Sequence, residues 1–171
     1  MKKLFLSLVV LVAAGMGASA MNLKEAFGAL SNLPAVEVRE PDYNLPVISD
    51  VVQNGQIAAA YNLDREQILV SGNAALAILN QVPLHYMVNG GSNGLVGAFV
   101  YATPDGEGAN DILIAALSGY RGLLVFMYGK TDDASIEAIR QAPLHIEGSF
   151  LSLEAAVPDA GEFNIILSKA R

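Results

Sequence analysis

Cysteine and tryptophan are both absent from this chain of 171 residues. Without cysteine there is no disulfide, no thiol nucleophile and no thiolate ligand for a metal, so a folded domain must be held by its apolar core alone. A hydrophobic content of 53% supplies the material for such a core. Without tryptophan, and with six tyrosines that form no spaced ladder, a sugar-stacking surface has little support.

Basic residues are scarce as well. Lysine and arginine together number 10 against 17 acidic residues, which gives a formal net charge of −7. The basic residues form no cluster, so the electrostatic footprint of nucleic-acid binding is missing, as is a basic face for anionic lipid. No GxxxxGK[ST] or GxGxxG pattern is present either, and we expect no bound cofactor.

The first twenty residues, MKKLFLSLVVLVAAGMGASA, have the composition of a secretory signal peptide. Two lysines precede an apolar run (4–14), and the small residues at 18–20 predict cleavage before Met21. The apolar run is shorter than the roughly 20 residues of a bilayer span, and no cysteine follows it for lipid attachment. We therefore expect an exported protein, periplasmic or secreted. Its mature part (21–171) should be a single domain with no transmembrane segment and a net charge of −9 once the two leading lysines are removed.

An internal repeat is suggested by two stretches ending in Gln-x-Pro-Leu-His. Residues 57–72 align without gaps on 114–129, and each copy has two apolar runs around a polar turn, the pattern of a hairpin. After three extra residues in the second copy, 74–85 aligns on 134–145, where apolar residues recur at helical spacing. The predicted unit is a hairpin followed by a helix that ends at proline, present once in 57–85 and again in 114–145.

Other elements complete the predicted fold. A helix is expected over 22–32 with Asn22 as its N-cap. The predicted N-cap of the repeat helix is Asn73 in the first copy and Asp132 or Asp133 in the second. The remaining pattern predicts strands at the positions listed next: 36–38, 94–102, 149–157 and 163–169, with 45–52 either strand or helix. The economical arrangement is an α+β fold, a mostly antiparallel sheet with short helices on one face and two related hairpin-helix units.

The only two histidines, His85 and His145, close the two repeated stretches. Duplication explains their matching positions, so the two histidines need not bind a common ligand. A histidine just after a helix also lies near carbonyls that favour its charged form. The alternative is a metal site formed by His85 and His145 with at least one more ligand, which would be Glu147, Asp132 or Asp133. No tight His-x-x-x-His spacing of the zinc type supports that alternative.

The stretch GGSNG (90–94) matches the Gly-x-Ser-x-Gly pattern of a serine hydrolase. Ser92 would be the nucleophile, and Asp111 and His145 follow in the order of acid and histidine. A nucleophile elbow requires a helix directly after the serine, whereas residues 95–102 are strand-forming. A hairpin turn, whose glycines permit positive φ, is therefore the favoured interpretation.

The stretch PDGEGAND (104–111) gathers four oxygen-bearing side chains, Asp105, Glu107, Asn110 and Asp111. Such ligands suit calcium, but the order of an EF-hand loop, with glycine at the sixth place and glutamate at the twelfth, is missing. A solvated hairpin loop is the favoured interpretation of this stretch.

The segment ILIAALSGYRGLLVFMYGKTDDASIEAIRQ (112–141) resembles small exported bacterial domains of unknown function. In these an apolar hairpin ends in Gly-Lys and is followed by an acidic cap and a short helix. Members often begin with a short helix and a valine-rich strand, as 22–40 does here. The chain departs from many of them in lacking a lipid-attachment cysteine. The resemblance implies a fold and no catalytic residue.

These observations favour an exported, non-enzymatic binding or interaction module whose partner is a protein or a small molecule. Two alternatives belong to other classes. One is the serine hydrolase that uses Ser92 with His145. The other is a self-associating structural protein of the cell envelope that pairs through exposed strand edges.

Overall fold

A computed structural model describes residues 20–39, 47–49, 52–147, 150–157 and 161–167. The expected signal peptide lies outside the described residues except for its last, Ala20. Within these ranges the helices are α1 (Leu23–Ser31), α2 (Arg65–Leu79) and α3 (Asp133–Gln141). The strands are β1 (Glu37–Arg39), β2 (Val47–Ser49), β3 (Gln53–Ala60), β4 (Met87–Ser92), β5 (Val96–Pro104), β6 (Asn110–Ser118), β7 (Leu123–Thr131), β8 (Leu144–Glu147), β9 (Phe150–Val157) and β10 (Gly161–Leu167).

The strands form two antiparallel sheets. The larger has six strands in the order β1-β3-β7-β6-β5-β4, and the smaller has four in the order β2-β10-β9-β8. Consecutive strands β4 to β7 are neighbours joined by short turns, so the centre of the large sheet is a meander. The predicted α+β class with a mostly antiparallel sheet is confirmed. The 45–52 segment, left open between strand and helix, contains strand β2.

The central strands are apolar on both sides, which is typical of strands covered on both faces. On β6 the side chains of Ile112 and Ile114 belong to one buried cluster, whereas Leu113 and Ala115 belong to another on the opposite face. Because side chains alternate along a strand, each face carries its own half of the core. Both faces therefore have to be covered by other elements.

Helices α1 and α2 cover one face. Leu23 and Leu30 of α1, with Ala75 and Leu79 of α2, are buried in the cluster that contains Phe126. Helix α1 begins as predicted, because the Asn22 side chain accepts a hydrogen bond from the Glu25 amide (2.9 Å) while the Glu25 carboxylate accepts one from the Asn22 amide (3.1 Å). This reciprocal capping box occupies two amides that the helix itself leaves without partners.

The opposite face is covered by α3 and by the small sheet. Ile139 of α3 and Leu153 of β9 are both fully buried in the cluster of Ile112 and Val125. The expectation that all helices share one face is therefore corrected, since α3 lies on the other side from α1 and α2. The physical reason is the apolar character of the central strands on both faces. None of the described helices is both long enough and apolar enough to cross a bilayer.

The predicted hairpin at 57–72 is wrong in its second half. Residues from Arg65 onward form the first part of helix α2, because the Asp64 side chain accepts from the Gln67 amide (2.8 Å) and Gln67 bonds back to the Asp64 amide (2.9 Å). Asp64 is thus the N-cap, and Asn73, the predicted cap, lies inside the helix. A short apolar run such as QILV fits a strand or a buried helix equally well, and the capping box decides between them.

The second copy does form the predicted hairpin, β6 and β7, followed by the predicted helix α3 with Asp132 as its N-cap. Its turn needs Gly122, which has a φ of +57° and on which a Cβ atom would collide with the backbone of Leu63. The two Pro-Leu-His stretches also differ, because the first forms a 3₁₀ turn (Leu84–Tyr86) and the second begins strand β8. In the alignment of 57–72 with 114–129, the second half of the first segment is therefore helix α2 and the second half of the other is strand β7.

Candidate functional site

Ser92 and Asp111, the proposed nucleophile and acid of a hydrolase, are not brought together. Ser92 pairs with Gly97 at one end of β5, and Asp111 pairs with Thr103 near the other. Six residues of strand separate these partners, which corresponds to about 20 Å. A catalytic triad requires hydrogen-bond contact between its members, so this pair cannot act as one.

Asp111 belongs instead to a polar cluster at the far end of the sheet. Its Oδ1 atom accepts hydrogen bonds from the Tyr128 hydroxyl (3.0 Å) and from Nζ of Lys130 (2.7 Å). The same lysine donates to Oδ2 of Asp105 at 2.9 Å, and Asp105 also accepts from the Glu107 amide at 2.7 Å. Hydrogen bonds to Asp111 and then to Asp105 raise the pKa of Lys130, so the lysine stays charged and fastens the β5–β6 loop to β7.

The four oxygen-bearing side chains of the calcium alternative are therefore divided. Asp105 and Asp111 bind Lys130, whereas Asn110 lies on the opposite face of β6 and donates from Nδ2 to Oδ1 of Asp133 at 2.7 Å. Neighbouring residues on a strand point to opposite faces, which explains the division. The arrangement does not gather these oxygens around one point.

The two histidines lie in different surroundings. His145 and Glu147 are exposed on the outer side of β8, while Leu144 and Ile146, which alternate with them along the strand, pack against the core. His85 lies in the 3₁₀ turn with its ring centroid 4.1 Å from that of Tyr86. Nowhere in the described ranges do three His, Asp or Glu side chains come together as metal ligands.

His85 lines an open groove between the 3₁₀ turn, the strands β4 to β6 and helix α3, with a volume of about 520 Å³. We call this the polar groove, and its lining is His85, Tyr86, Val88, Ala102, Pro104, Asn110, Asp133, Ile136, Glu137 and Arg140. Its charged groups already have partners within the chain. Asp133 accepts from Asn110, and Glu137 accepts from Arg140 (3.0 Å) and from Gln141 (2.7 Å). A ligand would have to compete with these contacts.

A second groove lies at the other end of the sheet, between α2 and the β4–β5 turn, with a volume of about 100 Å³. We call this the apolar groove, and its lining is Ile68, Leu69, Gly72, Asn73, Leu76, Ser92, Gly94, Leu95, Val96, Gly97, Phe99, Leu117, Gly119 and Leu124. No charged residue lines it. Three of its leucines are exposed to solvent: Leu69 by 54%, Leu76 by 38% and Leu95 by 50%. Apolar side chains gathered around a shared depression form a surface that a ligand or a partner can cover.

Helix α2 supplies one wall because it carries two apolar stripes. Ser71, Ala75 and Ile78 are buried against the sheet. Leu69, Gly72 and Leu76 follow one another at i, i+3 and i+7, so they share a flank of the helix. A Cβ atom at Gly72 would meet nothing within 4 Å, so this glycine leaves an opening between the two leucines.

The opposite wall is the β4–β5 turn, which holds Leu95 in place from both sides. The Asn93 side chain accepts hydrogen bonds from the amides of Leu95 (3.1 Å) and Val96 (2.9 Å). The carbonyl of Leu95 accepts from the Gly119 amide at 2.6 Å, and Gly94 has a φ of +86° that suits glycine. The exposed position of Leu95 is therefore set by its backbone. Of the predicted turn at 90–94, residues 90–92 belong to strand β4 and only 93 and 94 lie in the turn. Ser92, the last residue of β4, lies on the rim of this groove.

The apolar groove was missed from the sequence because residues 67–72 were interpreted as a strand. The spacing of Leu69, Gly72 and Leu76 signals a shared flank only once the segment is helical. The chain matches no protein-family model, no curated protein and no solved structure, so the site is characterised by its own geometry.

Proposed function

We propose that this protein is an exported, non-enzymatic binding protein that holds an uncharged aliphatic group of its partner in the apolar groove. The observation that carries the proposal is the convergence of three exposed leucines, 69, 76 and 95, on one groove without a charged lining residue. Export is supported by the composition of residues 1–20.

The energetic reason is the cost of leaving apolar surface in water. Fully burying a leucine side chain is worth about 1.5–3 kcal/mol, and these three leucines stay one-third to one-half exposed in the free protein. A partner that covers them gains part of that free energy without breaking any polar contact. In the polar groove, by contrast, Asp133 and Glu137 already have hydrogen-bond donors.

The size of the groove restricts the ligand. Its volume of about 100 Å³ is smaller than the cavity of about 150 Å³ that binds benzene in a well-studied case. A single short aliphatic side chain suits this space better than a long acyl chain. The backbone of Leu95 at the rim is held by hydrogen bonds to the Asn93 side chain and the Gly119 amide. The opening is therefore formed before binding, which reduces the conformational entropy lost when a ligand binds.

The test is a titration of the mature protein with N-acetyl-leucine amide, followed by amide chemical shifts in NMR. Saturable shifts are expected for Gly72, Leu95, Gly97 and Gly119, with N-acetyl-glutamine amide as a polar control ligand of similar size. Leu69→Glu should abolish the shifts at the remaining amides, whereas Val38→Glu should preserve them because Val38, although 63% exposed, lies on β1 outside the groove. Equal responses to the two ligands would contradict the proposal.

A further inference from the structure

We infer that the partner is a second copy of this chain, whose Leu84 side chain enters the apolar groove of its neighbour. The inference rests on the proposed function of that groove and names its occupant. Leu84 is 79% exposed, the highest value among the large apolar side chains in the described part of the chain.

Leu84 is held outward by a stiff local structure. Pro83 precedes it with φ −56°, and the Tyr86 amide donates to the Pro83 carbonyl at 3.0 Å. The Met87 amide then donates to the carbonyl of Leu84 itself, and Met87 begins strand β4. A segment whose backbone is fixed before contact loses less conformational entropy on binding than a flexible one. Leu84 therefore presents one aliphatic side chain of the size that the groove admits.

Charge does not oppose this contact, although the chain as a whole is acidic, with a net charge of −7. The segment 80–87, NQVPLHYM, contains no acidic residue, and the apolar groove has no charged residue in its lining. Two copies can thus bring these surfaces together without placing carboxylates directly opposite one another. Both surfaces lie largely within residues 67–104, a stretch that contains no Asp, Glu, Lys or Arg.

The two surfaces lie at opposite ends of one edge strand. Leu84 precedes Met87, which pairs with Tyr101, whereas the groove includes Ser92, which pairs with Gly97. Four residues of β5 separate these partners, roughly 14 Å, so Leu84 does not enter the groove of its own chain. A contact between unlike surfaces on two copies is heterologous, and every assembly that does not close into a ring has one free Leu84 at one end and one free groove at the other. The expected product is a head-to-tail series.

The contact should be weak, because one leucine in one groove buries far less than the roughly 1,200 Å² of a stable interface. Sedimentation velocity of the mature protein should accordingly show reversible mass increase as concentration rises toward the millimolar range. Leu84→Glu and Leu69→Glu should each raise the dissociation constant by roughly tenfold or more, since each exchanges an apolar contact for a charge. Val38→Glu, with the same change of charge elsewhere, should behave as the wild type.

Mixing the two variants provides the decisive measurement. Leu84→Glu keeps an intact groove and Leu69→Glu keeps an intact Leu84, so together they can form one contact and no more. A heterodimer that appears only in the mixture, without larger species, is the expected result. Gly72→Leu replaces Leu69→Glu if the latter disturbs the fold, because the added side chain enters open space and fills the groove.

Two outcomes overturn the inference and leave the proposed function standing. One is a wild-type protein that stays monomeric while still binding N-acetyl-leucine amide. The other is association that neither Leu84→Glu nor Leu69→Glu weakens, which would assign it to another surface such as a strand edge. Absence of both association and ligand binding would instead defeat the proposed function of the groove.

Discussion

Asp111 and Lys130 lie directly opposite each other on β6 and β7, with Nζ of the lysine 2.7 Å from Oδ1 of the carboxylate. The same Nζ atom lies 2.9 Å from Oδ2 of Asp105, so one cation joins a cross-strand pair to the adjoining loop. A residue that the sequence offered as a catalytic acid or calcium ligand is thus part of a structural cluster. The lysine that explains it lies 19 residues away in the chain.

This cluster predicts a pH dependence of stability. Hydrogen bonds from the Glu107 amide and from Lys130 lower the pKa of Asp105 in the folded state. In the unfolded chain the pKa of an aspartate is about 3.9. Such a group stabilises the fold above its unfolded pKa, and the stabilisation is lost as pH falls through the folded pKa. The urea midpoint should therefore fall more between about pH 5 and about pH 2.5 in the wild type than in Asp105→Asn. Glu107→Gln, on the same loop, is the control that should retain the wild-type difference.

The N-cap of α2 predicts a contrast between two residues. Asp64→Ala should lower the free energy of unfolding by about 0.5–2 kcal/mol, because the Gln67 amide loses its acceptor. Asn73→Ala should leave it unchanged or raise it slightly, since Asn73 is exposed inside the helix and alanine has the higher helix propensity. Urea denaturation measures both. Equal losses in the two variants would contradict the assignment of Asp64 as the cap.

Two glycines predict changes of opposite sign. Gly122→Ala should lower the free energy of unfolding by roughly 1–3 kcal/mol or more, because the position has positive φ and the new Cβ meets the backbone of Leu63. Gly72→Ala should raise it by roughly 0.5–1 kcal/mol, because the position is helical and has open space around it. Thermal or urea unfolding of both variants checks the pair. A destabilised Gly72→Ala would show that the opening on α2 is smaller than described.

The position of Ser92 predicts chemical inertness. Because Asp111 lies about 20 Å away along the strand, it cannot orient a histidine beside Ser92. Folded mature protein incubated with a fluorophosphonate probe should show no label on Ser92 by peptide mass spectrometry. Labelling that disappears in Ser92→Ala and in unfolded protein would restore the hydrolase hypothesis.

Local signals in the sequence determined a large part of this fold. The reciprocal pair Asn22 and Glu25 marks the start of α1, Asp132 marks the start of α3, and the apolar runs around Gly122 mark the central hairpin. These features depend on contacts within a few residues, which a sequence displays directly. The same holds for the absence of disulfides and of a basic surface, which follow from composition alone.

The tertiary structure alone decided the division of the helices between two faces, and the site. The helical state of 65–72, by contrast, has a local signal in the capping box of Asp64 and Gln67. Periodicity cannot separate a short apolar strand from a buried helix, and an alignment with the β6–β7 hairpin favoured the strand. The apolar groove brings Leu69 and Leu76 together with Leu95 and Leu117 from distant parts of the chain, so no local sequence pattern predicts it. Which apolar side chains a fold buries and which it leaves in water depends on the packing of all its elements together. That packing leaves Leu84, Leu69, Leu76 and Leu95 exposed.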